Sequence, residues 1–118
     1  MTDSLSAAEA GPPRCPLCGR VGLLALVEPS GAALCARCGE VFLWINEHLA
    51  RELRRSKEMI RLTTELKKLG LDSLDVVEVV MDLEEEYGVS VPDDVVQGWV
   101  TIADLVRWIS EDRDADAA

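Results

Sequence analysis

Residues 69–75 read Leu-Gly-Leu-Asp-Ser-Leu-Asp, and they separate two parts of the chain that differ in character. The glycine ends a long segment without Gly or Pro, and a helix is expected to begin at Asp72 or Ser73 and to end at Tyr87. Two interpretations of this start are open. Asp72 and Asp75 have the spacing of a capping box. Alternatively, a phosphate carried on Ser73 would lie at the positive end of the helix dipole.

Charge is distributed unevenly about this stretch. Residues 1–70 contain 10 basic and 8 acidic side chains, whereas residues 71–118 contain 2 and 14, so the two parts carry +2 and −12. Like charges three or four residues apart on a helix each cost a few tenths of a kcal/mol, so an acidic strip is a poor choice for stability alone. It indicates either a surface for a basic protein partner or a solvated face, and it disfavours nucleic-acid binding. The acidic strip consists of Asp75, Glu78, Asp82 and Glu85, with Glu84 and Glu86 beside it.

The length of 118 residues, 48% of them hydrophobic, allows one ordinary domain or two small ones and leaves no room for a large catalytic cleft. Residues 1–11 contain no basic residue and no apolar block, so we expect neither a signal peptide nor a transit peptide. The longest apolar run, residues 21–27, is too short to span a bilayer. A cytoplasmic location is therefore expected.

The four cysteines form two copies of Cys-x-x-Cys-Gly, separated by residues 19–34. This spacing is typical of a structural zinc site with four thiolate ligands and no open coordination position. The glycine after each pair is expected to take positive φ and to let backbone N–H groups point at the sulfurs. The predicted ligands are Cys15, Cys18, Cys35 and Cys38.

Three short strands are expected around this site, at residues 21–27, 32–34 and 41–44, which is the plan of a zinc ribbon. Metal binding would supply most of the folding free energy of so small a unit. The alternatives for the cysteines are two disulfides, a redox Cys-x-x-Cys or iron in the same sulfur cage. His48 is interpreted as a helix-surface residue rather than a ligand, since four thiolates are already available.

The remaining chain is predicted to be helical. Apolar residues at 45, 49 and 53 indicate an amphipathic helix over 45–57, which either continues or gives way to an ordered loop near residues 61–64. A brief helix is expected to open at Pro92 and end at Gly98, and a last helix follows a capping-box pattern at residues 101–104. The predicted domains are a flexible leader at 1–13, a zinc ribbon at 14–44, a helical domain at 45–110 and a disordered acidic tail at 111–118.

The residues of this helical domain resemble an acyl carrier protein over about residues 66–110. The motifs that carry the resemblance are the stretch 69–75, the acidic residues of the following helix and Val91-Pro92-Asp93. The resemblance implies a mainly α fold, a small four-helix bundle preceded here by the β zinc ribbon. It also implies a non-catalytic carrier, in which a phosphopantetheinyl transferase attaches 4'-phosphopantetheine from coenzyme A to Ser73.

In this family the terminal thiol of the arm holds acyl, aminoacyl or polyketide intermediates as thioesters. Acyl-activating and acyl-transferring enzymes bind the acidic second helix through basic surfaces. Trp99 stands where the family usually has an aliphatic residue, so a differently shaped acyl pocket is expected. By position, the resemblance assigns partner docking to Asp72, Asp75, Glu78, Glu84 and Glu85.

Two functions from other classes are kept as alternatives. A zinc-ribbon nucleic-acid or transcription adaptor with a carrier-like fold would bind through Arg14, Arg20 and Arg37, and the −12 half of the chain argues against it. A dithiol redox protein would need a free pair of cysteines, which a bound zinc would remove.

Overall fold

The computed structural model describes residues 13–111, so the predicted leader and acidic tail lie almost wholly outside the described residues. The first regular elements are two short antiparallel strands, β1 (Ala25–Val27) and β2 (Ala32–Leu34), with Ala25 opposite Leu34. β2 has its predicted bounds, whereas β1 is shorter than predicted because residues 21–24 make no regular pairing with β2.

The helix α1 (Ala36–Leu53) begins directly after β2 and is capped by Cys35. The predicted third strand at residues 41–44 is therefore wrong. A short apolar run fits a strand and a buried helix equally well, and here Val41 and Phe42 join Ile45 on the buried side of α1. The predicted division between a ribbon and a helical domain, at residues 44 and 45, falls in the middle of this helix.

An ordered segment follows α1, which ends at Arg54 in the left-handed conformation with φ 55°. The buried Asn46 of α1 donates hydrogen bonds from Nδ2 to the carbonyl oxygens of Lys57 and Ile60, both at 2.9 Å. The helix therefore does not continue through residues 61–64, and the alternative of an ordered loop is the one present. It contains two short 3-10 helices, Lys57–Met59 and Leu66–Leu69.

Three further helices complete the described chain, and their bounds follow the predictions closely. They are α2 (Ser73–Tyr87), α3 (Asp93–Gln97) and α4 (Ile102–Ser110). Gly88 takes the left-handed conformation that stops α2, with φ 64°, and Thr101 and Asp104 form the capping box of α4. The expected fold class, mainly α with four helices and a small β element, is confirmed.

The apolar residues of α2 lie on two opposite faces. Val79, Val80 and Leu83 are buried against the bundle, but Leu74 and Met81 are 66% and 59% exposed. The apolar residues of this helix are therefore divided between a buried side and an exposed side. At 100° per residue, Leu74 and Met81 project on the side of the helix opposite Leu83.

One continuous apolar core connects the cysteines with the helical bundle. Cys15 and Cys38 belong to the same buried cluster as Phe42 of α1 and Ile109 of α4. Leu34 of β2 is also fully buried in it. The cysteine region is thus packed onto the two helices α1 and α4. Within residues 13–111, no helix is long and apolar enough to cross a membrane.

Candidate functional site

Ser73 is the first residue of α2, and the structure describes only its backbone. The Asp72 carboxylate accepts the N–H of Asp75 at 2.9 Å, and the Asp75 carboxylate accepts the N–H of Asp72 at 3.2 Å. The capping-box interpretation of this helix start is therefore correct. Because two carboxylates already lie at the positive end of the dipole, the electrostatic benefit for an added phosphate is smaller than the sequence alone indicates.

A cavity of about 520 Å³ opens beside this helix start. Asp72, Val76 and Val77 line it from α2, so the residues on both sides of Ser73 in the sequence contribute to its wall. Trp99 forms part of the opposite wall and packs against Trp108, with ring centroids 6.3 Å apart. The remaining lining residues are Leu66, Lys67, Leu71, Asp93, Val96 and Gln97.

The carboxylates assigned to docking do not share one role. Glu78 and Glu85 are exposed on α2, whereas Asp72 and Asp75 form the cap. Glu84 is half-buried, and its Oε2 accepts the N–H of Val91 at 2.6 Å. Glu84 thus connects α2 to the segment that leads into α3, while Glu78 and Glu85 face solvent.

His48 is a contact residue that the sequence did not reveal. Its Nε2 lies 3.0 Å from Asp82 Oδ2, and its ring stacks on Trp44 with centroids 4.7 Å apart and an interplanar angle of 9°. The predicted helix-surface histidine is therefore largely covered, with 12% of its side chain exposed. It connects α1 to the acidic strip of α2. No spacing in the sequence relates residue 48 to residue 82, so periodicity gave no signal for this pair.

The four cysteine sulfurs converge in one cluster. They all lie within 4.8 Å of one another, and Cys18 Sγ is 3.7 Å from Cys35 Sγ. A tetrahedral zinc site with Zn–S bonds of about 2.3 Å places its sulfurs about 3.8 Å apart, so the cluster has suitable dimensions for a metal ion. All four cysteines are free thiols.

Backbone N–H groups and burial have opposite effects on the pKa values of these thiols. Burial by itself raises the pKa of Cys15, but N–H groups of Cys18, Cys35 and Leu17 outweigh it and lower that pKa to about 6. Burial raises the pKa of Cys18 and of Cys38. A metal cation would supply positive charge that favours the ionised form of the Cys18 and Cys38 thiols.

The two halves of the cluster have different local structures. The first is a turn, in which Gly19 takes φ 78° as predicted and donates its N–H to Cys15 O at 2.9 Å. The second is the first turn of α1, where Cys35 Sγ accepts the N–H of Cys38 at 3.4 Å. The positive φ expected for Gly39 is wrong, because that glycine is helical and its missing Cβ leaves room for Val27 Cγ2.

Comparison with known proteins identifies the family of the helical part of the chain. The model of the family described as "Phosphopantetheine attachment site" matches residues 44–109. An acyl carrier protein of Zymomonas mobilis is 42% identical over 67 residues, which cover 57% of this chain and 82% of the relative. An acyl carrier protein of Helicobacter pylori is 46% identical over 48 residues, 41% of this chain and 62% of that relative's length.

A solved structure supports the fold independently. The acyl carrier protein of Thermotoga maritima superposes with a TM-score of 0.56 at 22% identity, covering 63% of this chain and 87% of that protein. The chain therefore belongs to the acyl carrier protein family, whose members carry a phosphopantetheine attachment site.

Replacing Glu84 is expected to destabilise the protein, whereas replacing its neighbour Glu85 is not. Glu84→Ala leaves the N–H of Val91 without its charged acceptor, so the free energy of unfolding should fall by about 1–2 kcal/mol. Glu85→Ala removes an exposed side chain and should change it by less than about 0.5 kcal/mol. Urea unfolding followed by circular dichroism measures both. If Glu84→Ala and Glu85→Ala had the same free energy of unfolding, the contact of Glu84 with Val91 would not contribute to stability.

Proposed function

We propose that this chain carries acyl, aminoacyl or polyketide intermediates as thioesters on a 4'-phosphopantetheine arm attached to Ser73. The observation that supports it best is the position of Ser73 at the capped start of α2, beside the cavity of about 520 Å³. A flexible arm confines its cargo near a docked enzyme and so raises the effective concentration without catalysis by the carrier. The terminal thiol of the arm supplies the thioester chemistry, and this chain supplies its attachment point and shelter.

The cavity supports a sheltering role for part of the cargo. Its volume lies within the range of roughly 300–1,000 Å³ that is usual for small-molecule sites. Val76, Val77 and Val96 provide apolar walls, and Trp99 provides a large flat one. An aliphatic portion of the cargo would gain about 0.8 kcal/mol for each methylene that it buries there. The carboxylate of Asp72 at the rim repels the phosphate of the arm. The phosphate-bearing end is therefore expected to lie in solvent near Ser73.

Partner enzymes are proposed to bind the outer face of α2. We define the docking face as Leu74, Val77, Glu78, Met81 and Glu85, which recur at helical spacing and are all exposed. Apolar side chains flanked by carboxylates fit an enzyme surface that combines an apolar groove with basic residues. The phosphopantetheinyl transferase and the acyl-transferring enzymes are the proposed partners. The face is supported by the cap of Asp72 and Asp75 and by the contact of Glu84 with Val91. The cytoplasm is the proposed location of this binding.

The four cysteines are proposed to hold one structural zinc ion. The cluster is closed by four sulfurs, so a bound ion would have no open position for catalysis. Arg20 N–H and Cys38 N–H point at the sulfurs of Cys18 and Cys35, each at 3.4 Å, and such bonds stabilise thiolate ligands. Zinc at this position would support the N-terminal end of α1.

Attachment of the arm is tested by intact mass. After incubation with coenzyme A and a phosphopantetheinyl transferase, the wild-type mass should increase by one 4'-phosphopantetheine group. Ser73→Ala should gain nothing. Ser90→Ala, which removes a serine in the loop after α2, should gain the same group as wild type. An arm on Ser73→Ala, or none on wild type, would contradict the proposed site.

The docking face is tested through the kinetics of that modification. Glu78→Lys places a positive charge in the middle of the face and should raise the KM of the transferase for this protein severalfold at low salt. The difference should shrink as ionic strength rises, because salt screens exposed charges. Glu47→Lys makes the same charge change on the exposed side of α1 and serves as the control. Identical KM values for the two variants would exclude the proposed face as the determinant.

Metal content tests the zinc site. Elemental analysis of protein purified with zinc should give one zinc per chain. Cys18→Ser removes one ligand and should weaken zinc retention against a chelator, whereas Leu26→Ser changes an exposed residue of β1 and should retain the metal. Iron in place of zinc, or four cysteines that remain fully reactive with a thiol reagent, would refute the assignment.

A further inference from the structure

The last residue of α4, Ser110, is a buried polar residue in contact with the cysteine cluster. Its exposed fraction is 0%, and its Oγ has no hydrogen-bond partner of normal geometry among the described residues. An unpaired hydroxyl in an apolar interior destabilises the folded state. A buried hydroxyl is therefore expected to have a hydrogen-bond acceptor in the functional form of the protein.

The group beside this hydroxyl is the thiol of Cys38. The Ser110 hydroxyl interacts with that thiol where α4 packs against α1. Cys38 is itself 0% exposed, so water does not compete for its sulfur. A neutral thiol is a weak acceptor, but a thiolate is a strong one.

A second contact joins the same residue to the other half of the cluster. Arg20 Nη2 donates to the carbonyl oxygen of Ser110 at 3.3 Å, while the backbone N–H of Arg20 donates to Cys18 Sγ at 3.4 Å. The C-terminal end of α4 is thus linked to one cysteine of each pair. The cationic side chain also lies at the negative end of the α4 dipole, where it is favourable.

We propose that Ser110 is a positioning residue of the metal centre, whose hydroxyl donates to the Cys38 thiolate when a metal ion is bound. The inference rests on the proposed metal site and adds a residue from α4, 72 positions beyond Cys38 in the sequence. It follows that metal binding and the docking of α4 on α1 stabilise each other. Without the metal, the hydroxyl has no hydrogen-bond partner of normal geometry among the described residues.

The proposal predicts opposite effects of one substitution in two forms of the protein. In the zinc form, Ser110→Ala removes a donor to a ligand and should lower both the melting temperature and the zinc affinity. The loss of affinity should be about 10–100-fold, which is typical when an outer partner of a metal ligand is removed. In the metal-free form, the same substitution removes an unpaired buried hydroxyl and should leave the melting temperature unchanged or raise it.

The experiment uses the full chain, with zinc alone as the probe for affinity and cobalt(II) for spectroscopy. Zinc affinity is measured by competition with a chromogenic chelator, and the thiolate-to-cobalt absorption band should shift in Ser110→Ala. Ile109→Val is the matched control, because it trims the adjacent buried residue of α4 without removing a hydrogen-bond donor. It should lower the melting temperature of both forms alike and leave the affinity and the cobalt band unchanged.

The outcomes separate the two proposals. Absence of zinc from the wild type would refute the metal site and the role of Ser110 together. If the wild type binds zinc but Ser110→Ala retains the wild-type affinity and cobalt band, the role of Ser110 alone is overturned. The same conclusion follows if Ser110→Ala lowers the melting temperatures of the zinc and metal-free forms equally, because that pattern indicates ordinary packing.

Discussion

The continuity of α1 is the constraint on which the rest of the structure depends. This helix begins at Cys35, within the cysteine cluster, and ends at Leu53, within the bundle. Its buried side therefore belongs to both regions, with Cys38 at one end and Leu49 towards the other. A hydrogen-bonded helix does not bend freely between these positions, so the cluster and the bundle cannot change their relative placement without unfolding part of α1.

This continuity changes the interpretation of the N-terminal region. A ribbon that ended at residue 44 would be a separate unit attached by a linker. Instead, the sulfurs lie over the N-terminal turn of a helix whose next turns contribute Phe42 and Ile45 to the bundle core. The hydrogen bond from Arg20 to the carbonyl oxygen of Ser110 also connects this region to the end of α4. The cluster thus packs onto both the first and the last helix of a carrier fold.

The acidic helix α2 has a buried side that supports the fold and an exposed side that we propose for partner recognition. Its inner side packs Val79, Val80 and Leu83 into the core, which holds the helix in place. Its first and last turns use carboxylates for structure, through the cap at Asp72 and the contact from Glu84 to Val91. The carboxylates between them remain exposed beside apolar side chains. A uniform acidic pattern in the sequence therefore contains residues with different physical roles.

Local patterns in the sequence were sufficient for several features. Both bounds of α2 and the start of α4 followed from capping residues and, for α2, a stop glycine, because caps act within one turn of the chain. The paired cysteine motifs predicted a cluster, and the stretch around Ser73 predicted the family. These signals depend on residues that are close in sequence, so no tertiary information was needed to detect them.

Features that depend on distant residues were decided by the tertiary structure. Residues 41–44 are helical because packing against α4 extends the buried face of α1. An apolar run of four residues does not by itself distinguish a strand from a buried helix. The contacts of His48 with Asp82 and of Ser110 with Cys38 join separate helices, and no periodicity encodes them. The sequence alone thus determined which local elements form and what chemistry they carry. Only the folded chain decided that the cysteine cluster and the carrier bundle share one helix and one core, because that depends on how distant apolar faces pack.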